Sequence, residues 1–386
     1  MILLDKPLVS DFVKQSVREG LFQALDTGQL SKPGELPLLQ ASDVIERMKA
    51  DSNINLHTIS ENALAWIYKN LDFTGLPEKI SLFKNKLAFR ELIADQYPDL
   101  FFRKVIVSDM NDIDISTFPR PFIIKPAVGF FSMGVHKVFD PEGWEHTKSK
   151  ILAELDEIRN IYPDEVLNLE TYIAEACIEG EEYAFDAYFD DDGKAHILGV
   201  MEHPFGGEGD VSDRVYNTSA VIVKRHFSKF ERFLEMIGER AGLKNFSLHT
   251  EVRIDVHGNL VPIEVNPLRF GAWCTSADLM HHAFGINPYA MYINKEVPDW
   301  ERILGEADAG IYSIIILDNS TGIPAEEIQS FDYNKILGKL SHPPLELRKI
   351  DYRQYPIFGI LFTRTDPKDY AEINSILHDN LKIFVK

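Results

Sequence analysis

The stretch from Ser247 to Ala272, SLHTEVRIDVHGNLVPIEVNPLRFGA, constrains this chain more than any other. Two alternating runs, His249 to Asp255 and Leu260 to Asn266, flank a turn signal at His257-Gly258. That is the local pattern of a β-hairpin. With those two residues as the turn, Glu251 lies opposite Glu264 and His249 opposite Asn266. Strand side chains alternate between faces, so His249, Glu251 and Arg253 share a face with Glu264 and Asn266. Val252, Ile254, Val261, Ile263 and Val265 are expected on the other, core-facing side. Two carboxylates set against each other repel in a plain hairpin. A divalent cation removes the conflict, and oxygen donors without sulfur suit Mg²⁺ or Mn²⁺. A solvated polar face with Arg253 balancing the charge is the other reading. The hairpin alone leaves both open.

The remaining composition narrows the class. The 386 residues carry 60 Asp and Glu against 40 Lys and Arg, a formal charge of −20. A general nucleic-acid or anionic-membrane binder needs basic surface, so neither partner is expected. With 45% apolar and 26% charged residues the chain reads as an ordinary soluble protein, long enough for two or three cores. Cys177 and Cys274 are the only cysteines, which excludes a disulfide framework and a Cys-rich zinc site. The apolar run at the N-terminus is too short for a signal peptide, and no run reaches membrane-spanning length. Cytoplasmic residence is the expectation.

Along the chain, the first 80 residues read as a small α/β unit without a Gly-rich dinucleotide fingerprint. It contains a strand at Ile2 to Leu4, a helix from Phe12 to Leu25 capped by Ser10-Asp11, and a helix reaching Leu71. Phe83 to Tyr97 reads as one helix with Lys86 and Arg90 on one face, for which a solvated surface pair is the simple account. Phe122 to Lys125 reads as a strand running into a loop with Gly129, Ser132 and Gly134, followed by a strand from Val135 to Phe139. Glycines let backbone N–H groups approach an anion, and Lys125 could place an ammonium beside it; an ordinary hairpin has the same composition. Glu182, Ala184 and Asp186 alternate with Tyr183, Phe185 and Ala187 in a further strand. Gly206 to Arg214, GGEGDVSDR, lacks periodicity and reads as a lid or a plain surface loop, with Arg214 its useful residue. Residues from about 309 to 386 read as a last α/β unit, with helix over much of Glu326 to Leu340. Its lack of catalytic residue types suggests packing or homodimer contact.

In order, IIKPAVGFFSMGV, EACIEGEEY, HTEVRID and PIEVNPLRFG resemble the ATP-grasp superfamily over roughly Lys84 to Trp273, and within it the carboxylate–amine ligases of the amino-acid ligase type. The resemblance implies an α/β (α+β) ATP-grasp fold, with two subdomains that clamp ATP and hinge near residues 175–180. The implied divisions are 1–80, 81–300 and 301–386. It further implies that Lys86 and Lys125 meet the nucleotide phosphates and that Gly129, Ser132 and Gly134 belong to the phosphate cover. Glu175, Ala176 and Ile178 match the adenine-recognising hinge, and Glu182 the acid for the ribose hydroxyls. Glu251, Glu264 and Asn266 match ligands of Mg²⁺ (or Mn²⁺). His249 stands where a basic residue assists with phosphate, and Arg269 where substrate carboxylate is held, although Pro267-Leu268 shifts its register.

The implied activity joins a small-molecule carboxylate to an amine, amino acids or related acids among them, with release of ADP and phosphate. The carboxylate oxygen first takes the γ-phosphoryl group; the amine then attacks the acyl phosphate. Such chemistry needs placement and charge neutralisation more than a protein nucleophile. Arg253, Arg269 or Arg214 could stabilise the oxyanion of the second step. A thiol acceptor, simple phosphoryl transfer, or a non-catalytic ATP-binding module on the same fold are the alternatives.

Overall fold

The computed structural model describes residues 1–28, 36–129, 134–158, 168–207 and 212–386, with the side chains of 154–158 and 168–169 left out. Three sheets organise them. The N-terminal sheet is parallel, in the order β2 (Ala24–Asp26), β1 (Ile2–Leu4), β3 (His57–Thr58). A four-stranded antiparallel sheet runs β4 (Phe102–Ile106), β7 (Asn168–Ala176), β5 (Phe122–Val128), β6 (His136–Val138).

The largest sheet has eight antiparallel strands: β12 (Leu260–Pro267), β11 (Phe246–Ile254), β8 (Glu181–Phe189), β9 (Ala195–His203), β10 (Val215–Thr218), β13 (Ile311–Asp318), β15 (Ile357–Thr365) and β14 (Glu346–Lys349). Residues 301–386 therefore do not form a sheet of their own. Their strands extend the sheet that carries the opening hairpin, because β13 pairs directly with β10.

Helices cover the faces that the alternating strands make apolar. Phe230 of the helix Ala220–Ala241 stacks on Phe185 of β8 with ring centroids 4.6 Å apart. The same core takes in Leu3, Ile67, Phe83 and Phe89, so the N-terminal unit and the large sheet share one apolar interior. A separate core under the four-stranded sheet gathers Val105, Phe118, Phe122, Trp144 and Ile151.

Several expected helices are shorter, each for a local reason. The stretch Phe83 to Tyr97 is broken at Asn85, whose side chain accepts from the N–H groups of Leu87 and Ala88 and so starts a new helix, Lys86–Ile93, after Leu76–Lys84. Ser10 caps the first helix as expected, but a closure from Leu21 N–H to Ser16 O at 3.0 Å ends it at Arg18, and Ala24–Asp26 is a strand. Between Glu326 and Leu340 only a 3₁₀ turn, Ala325–Glu327, and a short helix, Tyr333–Leu337, form. Strands β4 and β10 escaped the sequence reading. No helix among the described residues is long and apolar enough to cross a membrane.

Candidate active site

The hairpin forms, and Glu251 pairs with Glu264 and His249 with Asn266, as the alternation predicts. The turn is longer than two residues. Ile254 pairs with Leu260, and Asp255 N–H donates to Asn259 O at 3.0 Å across the loop. A bulge between Glu251 and Val252 then restores the predicted register at the acidic end. Ile263 is the extra residue, and its carbonyl accepts from Arg90 Nη2 at 2.9 Å. The correction concerns the core face: Pro262 lies opposite Val252, whereas Val261 pairs with Arg253 and shares its face.

Around the acidic pair the structure gathers cations from two elements, the helix Lys86–Ile93 and β5. Lys86, at the start of its helix, lies 3.3 Å from Glu264 Oε2 and donates to Gly129 O at 3.2 Å. Lys125 on β5 lies 2.6 Å from Glu175 Oε2 on β7. Arg90, 1% exposed, donates to the other oxygen of Glu175 while holding Ile263 O on the large sheet. The expected solvated Lys86–Arg90 pair is therefore corrected: one turn of helix separates a site lysine from a buried arginine that ties the two sheets together.

Burial would raise the Glu264 carboxyl, but Lys86, Lys125 and Lys84 hold it well below the usual carboxylate range. Glu251 moves the other way, pushed up by burial and by the neighbouring charge of Glu264. This is the electrostatic asymmetry that a shared divalent cation resolves. Asn266 Nδ2 donates to Glu264 Oε1 at 2.9 Å, so the two side chains are already grouped. The donor set, two carboxylates and an amide on adjacent strands, fits an oxygen-preferring ion. His342, Asp366 and Asp369 lie close enough together to share an ion, but Asp366 is taken by Arg364 at 2.9 Å.

His249 is 1% exposed. Its Nδ1 lies 2.8 Å from Asp186 Oδ1 and its Nε2 3.3 Å from Glu251 Oε1. Burial alone would lower its pKa, but the hydrogen bonds to Asp186 and Glu251 raise it to about 9. Strands β8 and β11 repeat the pattern four residues away, where Arg253 Nε meets Glu182 Oε2 at 2.9 Å. Glu182 also accepts from His203, 3.1 Å away, and Arg253 donates to Ile178 O. Arg253 thus fastens the turn between β7 and β8 to the large sheet and does not balance the Glu251–Glu264 pair. Gly180 makes that turn: its φ is +125°, and a Cβ there would come within 2.2 Å of Ile254 O.

Arg269 pairs with Glu61, 2.9 Å away, and the second oxygen of Glu61 takes Lys84 at 2.6 Å. Burial opposes ionisation, but the two cations lower Glu61 to about 2. After Arg269 the backbone of Ala272, Trp273 and Cys274 is left-handed, with φ of 49°, 59° and 58°. Three successive side chains in that conformation carry strain of order 1 kcal/mol each or more.

Arg214 does not belong with these residues. It donates to Asp318, Ser320 and the carbonyls of Leu377 and Asp379, and is 8% exposed. The lid and oxyanion roles expected of it are corrected to that of a buried anchor for the C-terminal segment. Ser132 and residues 208–211 lie outside the described residues; Gly129 and Gly134 are described.

Arg90, Glu61, Lys84 and Asp186 were not singled out as site residues from sequence. Asp186 had a signal: Glu182 and Asp186 oppose Arg253 and His249 in the β8–β11 register, acid against base twice. Glu61 had none.

Residues 118–277 match the family profile described as an ATP-grasp domain. These residues form an ATP-grasp domain. They include Lys125, Glu175, Glu182, the acidic hairpin and Arg269, while Lys86 and Glu61 are supplied from outside. No curated protein matches the chain. Among solved structures, an L-amino acid ligase from Bacillus licheniformis superposes with TM-score 0.67 at 18% identity, covering 100% of this chain and 97% of its own. N5-carboxyaminoimidazole ribonucleotide synthetase from Thermotoga maritima gives 0.63 at 13%, covering 100% and 98%. Phosphoribosylglycinamide synthetase from Anaerococcus prevotii gives 0.57 at 14%, covering 100% and 98%. At these identities the likeness establishes the fold, which extends over the whole chain.

Proposed function

We propose that the chain is an ATP-dependent carboxylate–amine ligase working through an acyl phosphate. The observation that carries the reading is the convergence of Lys86 and the Lys125–Glu175–Arg90 cluster on the opposed carboxylates of Glu251 and Glu264. A fixed constellation of cations beside an acidic pair is what in-line phosphoryl transfer requires.

In this reading Glu251, Glu264 and Asn266 hold Mg²⁺ (or Mn²⁺), which supplies neutralisation of phosphoryl oxygens. Lys86 and Lys125 meet the phosphates of ATP, with Gly129 and Gly134 at the base of the cover. Glu175 aims Lys125, since its carboxylate is shared between Lys125 and Arg90. Adenine recognition then rests on the backbone around Cys177, because Ala176 N–H donates to Phe101 O and Ile178 O accepts from Arg253. Glu182 faces the ribose. The substrate carboxylate attacks the γ-phosphorus and ADP leaves. The amine then attacks the acyl carbon and phosphate leaves, with Arg269 the cation nearest in sequence to the metal strand.

The test is a phosphate-release screen with Mg²⁺-ATP over pairs of amino acids and small acids. Phosphate release that needs both acid and amine supports the ligase. Release with acid and a thiol would move the acceptor, and tight ATP binding without turnover over the whole panel would overturn the enzymatic reading.

A further inference from the structure

Both ring nitrogens of His249 are engaged, and the residue is 1% exposed. Nδ1 meets Asp186 at 2.8 Å and Nε2 meets Glu251 at 3.3 Å. Gly271 lies against the ring so closely that a Cβ there would fall 2.1 Å from Cε1. Asp186 is itself immobilised. One oxygen takes His249 and the Gly271 N–H at 3.1 Å, and the other takes the Ser276 hydroxyl. Asp186 is 1% exposed, so neither it nor the ring has an alternative partner in water.

We propose that Asp186 and His249 are positioning residues that hold Glu251 in its metal-binding orientation, and that His249 makes no contact with nucleotide phosphate. The inference rests on the reading of Glu251 as a metal ligand. A carboxylate with one oxygen held by a fixed imidazole presents the other in a single direction. Outer partners of metal ligands act in this way, and losing one costs about 10- to 100-fold in metal affinity. The same chain joins Glu251 to the left-handed turn at Ala272–Cys274, because Asp186 also holds Gly271 and Ser276 at its two ends.

The experiment measures Mn²⁺ binding by electron paramagnetic resonance on the full chain with a non-hydrolysable ATP analogue, and analogue affinity separately without metal. His249→Gln and Asp186→Asn should each weaken Mn²⁺ by about 10- to 100-fold, leaving metal-free analogue affinity unchanged. The double variant should be little worse than either, since the residues act in series. Thermal unfolding identifies the folded fraction, and if one variant does not fold the other carries the test. Unchanged Mn²⁺ affinity with weakened metal-free analogue binding would make His249 a direct phosphate contact and overturn the inference. Glu251→Gln is the separating control: if it too retains Mn²⁺, the metal reading falls and this inference with it. If it alone loses Mn²⁺, only the inference falls.

Discussion

In the proposed mechanism single residues divide into those that meet the reacting groups and those that aim them. Lys125 and Glu264 would belong to the first kind, and Lys125→Ala and Glu264→Ala should each lose on the order of 3 kcal/mol or more of transition-state stabilisation, measured as kcat/KM with folding intact. Near-wild-type turnover in both would remove the mechanism. Glu61 belongs to the second kind. Its carboxyl is lowered to about 2 from an ordinary 4.5, so its contribution to stability is complete above pH 4.5 and fades as pH falls towards 2. The stability gap between wild type and Glu61→Gln, read by denaturant unfolding, should therefore be a few kcal/mol at pH 7 and should close through that window. A gap independent of pH would mean that Lys84 and Arg269 do not depend on the charge. The acids at 251 and 264 were legible from sequence because strand periodicity places them on one face. Glu61 was not, because it meets Arg269 across 208 residues of chain and no local pattern announces such a partner.

At the scale of elements, the hairpin and the Gly180 turn show how local rules survive or fail. The sequence predicted the right pairing of Glu251 with Glu264 from the wrong turn, and the extra residue at Ile263 compensated for the longer loop. A bulge costs a ladder hydrogen bond, and here Arg90 satisfies the freed carbonyl. Arg90 comes from a helix far away in sequence, so the bulge could not be foreseen from the hairpin. The Gly180 turn between two strands was legible. Its close approach to Ile254 O was not. Gly180→Ala combines a disfavoured φ with a clash against backbone, and should destabilise the fold by about 2 kcal/mol or more, measured by denaturant unfolding. A change below about 0.5 kcal/mol would mean that the turn yields freely.

For the molecule as a whole, the eight-stranded sheet is the unit that joins the acidic hairpin to the C-terminal strands. Arg214 fastens the far end of that arrangement, with its donors spread over Asp318, Ser320, Leu377 and Asp379. Arg214→Ala leaves Asp318 without its cation and removes a donor from the carbonyls of Leu377 and Asp379. Losing one member of a buried pair typically costs 3 to 5 kcal/mol, roughly. Melting temperature should therefore fall while kcat of the folded protein is retained; a selective loss of kcat would restore the oxyanion role instead. By itself the sequence determined the ATP-grasp motif order, the hairpin and the acid pair, because residues near in sequence obey the period of the strand they share. Only the tertiary structure decided which charges meet. It gave Arg90 to Glu175, Glu61 to Arg269, Asp186 to His249, and took Arg214 out of the site. Ion pairing depends on distances between separate elements, and those distances are set by how the sheets and helices bury their apolar faces. What looked like an isolated electrostatic conflict between Glu251 and Glu264 is the centre of a charge network assembled from the large sheet, the four-stranded sheet and the helix that begins at Lys86.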